Sequence, residues 1–292
     1  MISLKKQCLS EFLCGLLVGF FGLGCLVLLH NSQGIVNQFE FSLLFGLAIA
    51  FVVVIFNPMS GAQFNPGVTL AMVITHRQDK RTLLPYWVAQ FLGWFCGAMM
   101  VYGVFYNQLV DIAKIAVSGH GEGYAAVNLL FCNYNNGGWY AAIPLELILT
   151  AFMVIIILAS NDQRIVNKPG KALFPLVLAL YITFAVTFAG PYSGACLNAA
   201  RDFGPRLWAL VYGAAHGYDI SAVFGNGYQF LLYLFVPTIG AVLGALIYDH
   251  GIDRLLPLPK ILVDTSDVIN DNYVSEKIKE VRVSNKKEKS KK

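Results

Sequence analysis

Six long stretches of this chain contain no Asp, Glu, Lys or Arg. They are Phe12–Leu29, Phe41–Phe56, Thr82–Val110, Leu147–Ser160, Ala172–Ala200 and Ile220–Tyr248. Most of them supply the ~20 apolar residues that a helix needs to cross a ~30 Å hydrocarbon core. The fourth is short, and Gly138–Leu145 extends it upstream, which places Glu146 inside the span. The pattern therefore predicts an all-α integral membrane protein with six transmembrane helices.

Composition and charge agree with a membrane location. Of the 292 residues, 57% are apolar and 13% are charged, about half the charged share of a soluble domain. With six spans, both termini lie on one side. That side holds all of the 21 basic residues except Lys114, Arg201 and Arg206. The positive-inside rule predicts that this side, with both termini, is cytoplasmic.

An internal repeat divides the chain into two halves. Glu11 precedes Asn65 of the segment Ser60-Gly-Ala-Gln-Phe-Asn65 by 54 residues. Glu146 precedes Asn198 of the segment Ser193-Gly-Ala-Cys-Leu-Asn198 by 52 residues. Three spans per half is an odd number, so the halves must have opposite topology. The sequence predicts two inverted repeats, at about residues 7–110 and 136–257, within one membrane domain of residues 1–262.

The two Ser-Gly-Ala segments are too apolar for ordinary loops and too short to span. About ten helical residues after each Asn reach roughly 15 Å, half of the core. We expect two re-entrant half-helices whose N-termini face each other near the midplane, with Asn65 as an N-cap and Pro66 as a first helical residue. Backbone ahead of each Asn must avoid lipid, so its carbonyls are expected to line a channel. The residues concerned are Gly61, Ala62, Gln63, Phe64, Gly194 and Cys196.

These paired segments resemble those of the major intrinsic protein (aquaporin) family. The sequence Arg201-Asp-Phe-Gly-Pro-Arg206, with Asp202 directly after the arginine, is similar to that of its glycerol-conducting bacterial members, the glycerol facilitators. The resemblance covers about Lys5 to Pro257. It implies a passive channel of the plasma membrane, not an enzyme, that carries small uncharged solutes and excludes ions and protons. It also implies a homotetramer with one pore per subunit.

The resemblance assigns roles to individual residues. Asn65 and Asn198 match the paired asparagines whose amides donate to the permeating molecule. Arg201 matches the arginine of the outer selectivity filter. The other filter positions fall on Phe45, Val186 and Ala195.

Glu11 and Glu146 have two readings. Each could relay protons, or each could accept hydrogen bonds from backbone N–H groups of a re-entrant segment. Their symmetric placement favours the second, supporting role.

Some positions depart from the family pattern. The boxes read Asn65-Pro66-Gly67 and Asn198-Ala199-Ala200, and Gln63 stands where histidine is usual. The filter has Phe45 and Ala195 in place of a Trp–Phe pair. With one strong donor and three apolar walls, it favours a solute with hydroxyls on one edge and carbons on the other, such as glycerol or a related polyol. Water, urea and undissociated lactic acid are the alternatives.

Two other classes of membrane protein compete with a channel. An ion-coupled transporter also uses broken helices and inverted repeats, but it needs ion sites that this midplane lacks apart from the paired glutamates. A structural membrane protein with a vestigial pore is the third class. The sequence shows no catalytic, cofactor or metal-ligand spacing, and no basic and aromatic groove for nucleic acid. Residues 263–292 form a basic tail that we expect to be cytoplasmic and disordered.

Overall fold

A computed structural model of the chain describes residues 2–31, 34–115, 122–162, 164, 170–225 and 229–256. Within these ranges the fold is built from helices, with short 3₁₀ and π turns between or after them. The main helices are α1 (Leu4–Leu29), α2 (Gln38–Ser60), α3 (Pro66–Ile74), α4 (Leu83–Val104), α5 (Tyr106–Ile115), α6 (Tyr124–Phe131), α7 (Trp139–Asn161), α8 (Gly170–Ser193), α9 (Ala199–Ala215) and α10 (Gln229–Ile247). The predicted tail and the predicted domain boundary at residue 262 lie outside the described residues.

Six helices are long and apolar enough to cross a bilayer: α1, α2, α4, α7, α8 and α10. The predicted number of spans is confirmed, and the chain is a multi-pass integral membrane protein. The third charge-free stretch continues to Val110, whereas α4 ends at Val104. The residues beyond it form α5, which buries Leu109 and Ile112 on one face and exposes Asp111 on the other.

Helices α3 and α9 are the two re-entrant half-helices, and each begins directly after an asparagine. The Asn65 side chain accepts a bond from Gly67 N at 3.0 Å, and Pro66 takes the first helical position. The Asn198 side chain accepts from Ala200 N at 2.9 Å. The predicted N-cap at Asn65 is therefore confirmed, and the second half-helix has an equivalent cap without a proline.

The two half-helices differ in length. α3 has nine residues, close to the expected ten, whereas α9 has 17 and was predicted too short. The second half of α9 continues because it packs against α4 and α6. Gly213 lies so close to Tyr124 that an added Cβ would sit 2.5 Å from the ring.

Glycines set the closest helix crossings. A Cβ built on Gly93 of α4 would lie 2.4 Å from the carbonyl oxygen of Phe12 in α1. A Cβ built on Gly244 of α10 would lie 2.2 Å from the carbonyl oxygen of Ala151 in α7. Small residues permit such approaches between helices in lipid, where packing rather than the hydrophobic effect drives association. These two crossings, α1 with α4 and α7 with α10, are equivalent in the two halves.

Candidate functional site

The two half-helices are joined by reciprocal hydrogen bonds at the centre of the molecule. The side-chain amide of Asn65 donates to the carbonyl oxygen of Leu197 at 2.8 Å. The side-chain amide of Asn198 donates to the carbonyl oxygen of Phe64 at 2.9 Å. Each asparagine therefore caps its own helix with its oxygen and bonds to the opposite segment with its nitrogen. The N-termini of α3 and α9 are brought face to face by this exchange.

Glu11 holds the first re-entrant segment. Its buried carboxylate accepts from Ser60 Oγ at 2.6 Å, from Gln63 N at 3.0 Å and from Phe64 N at 2.6 Å. Gln90 Nε2 adds a fourth bond at 2.9 Å. A carboxylate with this many donors fixes the segment at a place where exposed backbone is not tolerated.

Glu146 holds the second segment in the same way, with one donor fewer. It accepts from Ser193 Oγ at 2.7 Å, from Cys196 N at 2.9 Å and from Leu197 N at 2.8 Å. The first half gains its extra bond from Gln90 on α4. Sequence reasoning missed Gln90, although a polar residue inside a charge-free span was a usable signal.

Both segments contain residues in the left-handed region of backbone space. They are Ala62 (φ 43°), Phe64 (φ 36°), Ala195 (φ 47°) and Leu197 (φ 53°). This region is uncommon for residues other than glycine and persists only where neighbouring contacts impose it. Here the glutamates impose it by binding the N–H groups of the same segments. A left-handed residue at every second position prevents each segment from forming a helix or a strand. The backbone carbonyl groups of the segments therefore lack the partners that a helix or a sheet would give them.

A cavity of about 230 Å³ lies against the first segment. The segment Gly61–Asn65 forms one wall, and Asn57 and Asn161 add further polar groups. The remaining lining residues are apolar and come from four helices: Ile49, Val68, Met72, Met153, Ile157, Phe174, Leu178 and Ile182. A cavity of about 150 Å³ holds benzene, so this space accommodates a small organic solute between a polar and an apolar wall.

A second, narrower cavity of about 40 Å³ lies on the other side of the two asparagines. The four filter residues predicted from the sequence, Phe45, Val186, Ala195 and Arg201, all line it. Cys196, Asn65 and Asn198 line it as well. Among the predicted segment residues, Gly194 lies in neither cavity lining. Glu11, Glu146 and Asp202 also lie outside both and contact the segments or loops from behind.

Sequence reasoning missed Ile49, Ile182 and Met153, which line both cavities. Two of them were recoverable. Ile49 lies one helical turn after Phe45, and Ile182 lies one turn before Val186, so they share a helix face with the predicted filter residues.

Arg201 is 7% exposed, and its Nη1 donates to the carbonyl oxygen of Phe131 at 3.2 Å. Five residues further along α9, Arg206 is also buried and its Nε donates to Asp202, one turn before it, at 2.5 Å. Asp202 in turn accepts from the backbone and side chain of Asn133, at 2.7 and 3.0 Å. The two arginines thus differ: Arg206 is paired with a carboxylate and lies behind the cavity, whereas Arg201 lines it.

Gln63 lines the first cavity, and hydrogen bonds fix the orientation of its side chain. Its Oε1 accepts from Thr69 Oγ1 at 2.7 Å, and its Nε2 donates to Gln78 Oε1 at 2.5 Å. Thr69 also accepts from Gln90 Nε2 at 2.9 Å, which connects the chain of bonds to Glu11. No cluster of three or more metal-ligating side chains occurs among the described residues.

This arrangement of paired half-helices was compared with known proteins. The family model described as major intrinsic protein matches residues 1–248. The chain belongs to the major intrinsic protein family. The expected fold, with six spans and two re-entrant half-helices, is confirmed by this match together with the structure.

Individual members of the major intrinsic protein family are similar over most of the chain. The glycerol uptake facilitator protein of Escherichia coli (strain K12) is 35% identical over 275 residues, which are 91% of this chain and 94% of that protein. The propanediol uptake facilitator of Citrobacter freundii is 32% identical over 272 residues, 91% and 98% of the two chains. The X-ray structure of the aquaglyceroporin from Plasmodium falciparum superposes with a TM-score of 0.76 at 26% identity, covering 87% of this chain and 98% of that one.

Proposed function

We propose that this protein is a passive pore for glycerol and related small neutral polyols. The observation that carries the proposal is the two-sided lining of the path through the midplane. One wall offers the backbone of Gly61–Asn65 and the amides of the paired asparagines, and the opposite wall is apolar. A polyol has hydroxyls along one edge and C–H groups along the other, so it can exchange its hydration for both walls at once. The names of the two bacterial facilitators support the same solute class.

The second cavity, of about 40 Å³, is called the outer cavity from here on, and it acts as the selectivity filter in this proposal. Arg201 supplies a charged donor, while Phe45, Val186 and Ala195 supply apolar contacts for the carbon edge of the solute. Val186 and Ala195 are smaller than a histidine or phenylalanine, so they leave this ring of residues wider than those side chains would.

Ions and protons are excluded by electrostatics at the centre. The facing N-termini of α3 and α9 each carry about half a positive charge, and Arg201 adds a full charge nearby. Cations are repelled, and anions do not recover their hydration on the apolar wall. The amides of Asn65 and Asn198 orient each passing hydroxyl or water, so a continuous proton wire is broken.

The protein is proposed to lie in the plasma membrane with both termini in the cytoplasm. Among the residues that the structure describes, the face at which α1 begins carries exposed basic residues such as Lys5, Lys6, Lys80 and Arg81, which supports this orientation by the positive-inside rule. A homotetramer with one pore per subunit is proposed on family resemblance. Light scattering of the detergent-solubilised protein measures the subunit number.

Stopped-flow light scattering on proteoliposomes tests the function. Glycerol, propanediol, urea, lactic acid at low pH and water are compared at equal protein load. We expect glycerol and propanediol flux far above that of empty liposomes and little saturation with concentration. Protein that conducts water but no polyol contradicts the proposed solute. Flux that needs an ion gradient contradicts a passive pore.

A further inference from the structure

The ring of Phe45 rests directly on the backbone of Gly22 in α1. A Cβ built on Gly22 would lie 2.6 Å from Cε2, 2.8 Å from Cδ2 and 3.1 Å from Cζ of that ring. Such separations are too short for two carbon atoms, so the ring occupies the space that any side chain at position 22 would take. Phe41, one turn earlier on α2, packs edge to face against Phe45, with the two ring centroids 5.9 Å apart.

Backbone conformation does not require glycine at this position. Gly22 lies inside α1 and its φ is not positive. Glycine is less favourable than alanine in a helix interior, so the benefit of Gly22 lies in the space it leaves. Gly24, two residues later, behaves differently: its Cβ would meet Phe105 at an ordinary contact distance of 3.4 Å.

The surroundings of the Phe45 ring decide where it can move. Gly22 and Phe41 bound it on two sides, and the outer cavity, shared with Val186, Ala195 and Arg201, is the open side. Close-packed interiors resist displacement, so a ring pushed away from α1 moves into the cavity. That cavity is only about 40 Å³, so a displacement of less than 1 Å changes what can pass.

We propose that Gly22 is a positioning residue that sets the width of the outer filter, because it lets the Phe45 ring pack directly against the backbone of α1. The inference rests on the proposed pore function and adds a residue that touches no solute. It places part of the size selectivity on a helix that contributes no side chain to the filter.

The test compares Gly22→Ala with Gly24→Ala as the matched control. Both variants add one methyl to the same helix, and only the first meets the Phe45 ring. Glycerol and water permeabilities are measured in proteoliposomes at equal protein load, after size-exclusion chromatography and thermal unfolding in detergent. We expect Gly22→Ala to lower the ratio of glycerol to water permeability about fivefold or more, and Gly24→Ala to keep the parental ratio.

The double variant Gly22→Ala/Phe45→Leu provides the rescue. Leucine is shorter than phenylalanine and leaves room for the added methyl, so the ratio is expected to return towards that of Phe45→Leu alone. If Gly22→Ala does not fold, folding of the double variant supports the contact, and failure of both overturns the inference. An unchanged ratio in Gly22→Ala, or an equal loss of glycerol and water, also overturns it.

Failure of the proposed function is distinguishable from failure of this inference. A parent protein that conducts water but no glycerol contradicts the proposed solute. The inference is then decided by water alone, because a narrowed filter must lower water flux in Gly22→Ala below that in Gly24→Ala.

Discussion

The side-chain amide of Asn198 donates a hydrogen bond of 2.9 Å to the carbonyl oxygen of Phe64, which lies 134 residues earlier in the chain. The oxygen of the same amide caps α9 by accepting from Ala200 N at 2.9 Å. One side chain therefore starts a helix and joins the two halves of the protein. These two contributions can be separated by substitution.

Asn198→Ser keeps an N-cap oxygen but cannot reach Phe64, whereas Asn198→Leu loses both contacts. We expect both variants to lower glycerol flux strongly, because the donor at the midplane is gone. Only the leucine variant also loses the cap, worth about 1 kcal/mol. Flux assays and thermal unfolding in detergent check this. Parental flux in either variant removes Asn198 from the solute path.

Ala199→Pro is expected to stabilise the protein by about 0.4–1 kcal/mol without loss of flux. Proline is favoured at a first helical position, where no backbone donor is needed. The preceding residue is already extended: Asn198 has φ −156° and ψ 112°, close to the φ −141° and ψ 114° of Asn65 before Pro66. Thermal unfolding measures the change, and a lower midpoint would show that the second half-helix needs the backbone N–H at position 199.

Arg201→Val should raise proton or cation leak and broaden the range of solutes. The buried guanidinium lines the narrow cavity, and no other arginine among the described residues does. Lys114→Val is the control, because this substitution removes the same charge from an exposed site outside both cavities. A pH-sensitive dye inside proteoliposomes reports proton leak. Equal leak in the two variants is incompatible with a filter role for Arg201.

Asp202→Ala should destabilise the protein by about 3–5 kcal/mol, because it leaves the buried guanidinium of Arg206 without its carboxylate. The double variant Asp202→Ala/Arg206→Met removes both charges and should cost less than the single change Asp202→Ala. Thermal unfolding of both variants and of Arg206→Met completes a double-mutant cycle. Additive costs would show that the pair is not coupled.

One acid-sensitive contact joins the residues that follow α7 to the residues that follow α10. Arg164 binds Asp162 at 2.6 Å and also pairs with Asp253, and hydrogen bonding by this arginine lowers the pKa of Asp162. A carboxyl with a lowered pKa in the folded state adds stability above its unfolded pKa of about 3.9 and loses it as the pH falls further.

This contact should therefore leave the thermal midpoint of the parent unchanged between pH 5 and 8. The midpoint should decrease when the pH is lowered below about 4. Asp162→Asn cannot titrate, so its midpoint should drop less between pH 7 and pH 3. The same acid-induced drop in both proteins would mean that other carboxyls account for it.

The sequence was sufficient for the parts of the fold that depend on composition and local chemistry. Charge-free stretches predicted the spans, and Asn65-Pro66 predicted the start of α3. The repeat around Asn65 and Asn198 predicted the facing half-helices, because two halves with odd numbers of spans must be inverted.

Contacts that depend on how helices cross could not be predicted from the sequence. The packing of Phe45 on Gly22 depends on how the consecutive helices α1 and α2 cross, and the bond from Gln90 to Glu11 joins α4 to α1. Their partners follow from crossing points that no local pattern specifies. The length of α9 was missed for the same reason, since its second half is stabilised by Tyr124 and other residues of distant elements.

The exchange of bonds between the two halves has a consequence for synthesis. Asn65 binds the carbonyl of Leu197, which lies 132 residues later. At a translation rate of about 5–20 residues per second, that carbonyl is made about 7–26 s after the amide. For most of this interval, once α4 is complete at Val104, the first three spans exist with a polar group at bilayer depth whose partner Leu197 has not yet been made. The nascent first half must therefore keep water, or the insertion machinery, beside Asn65 until the second half arrives.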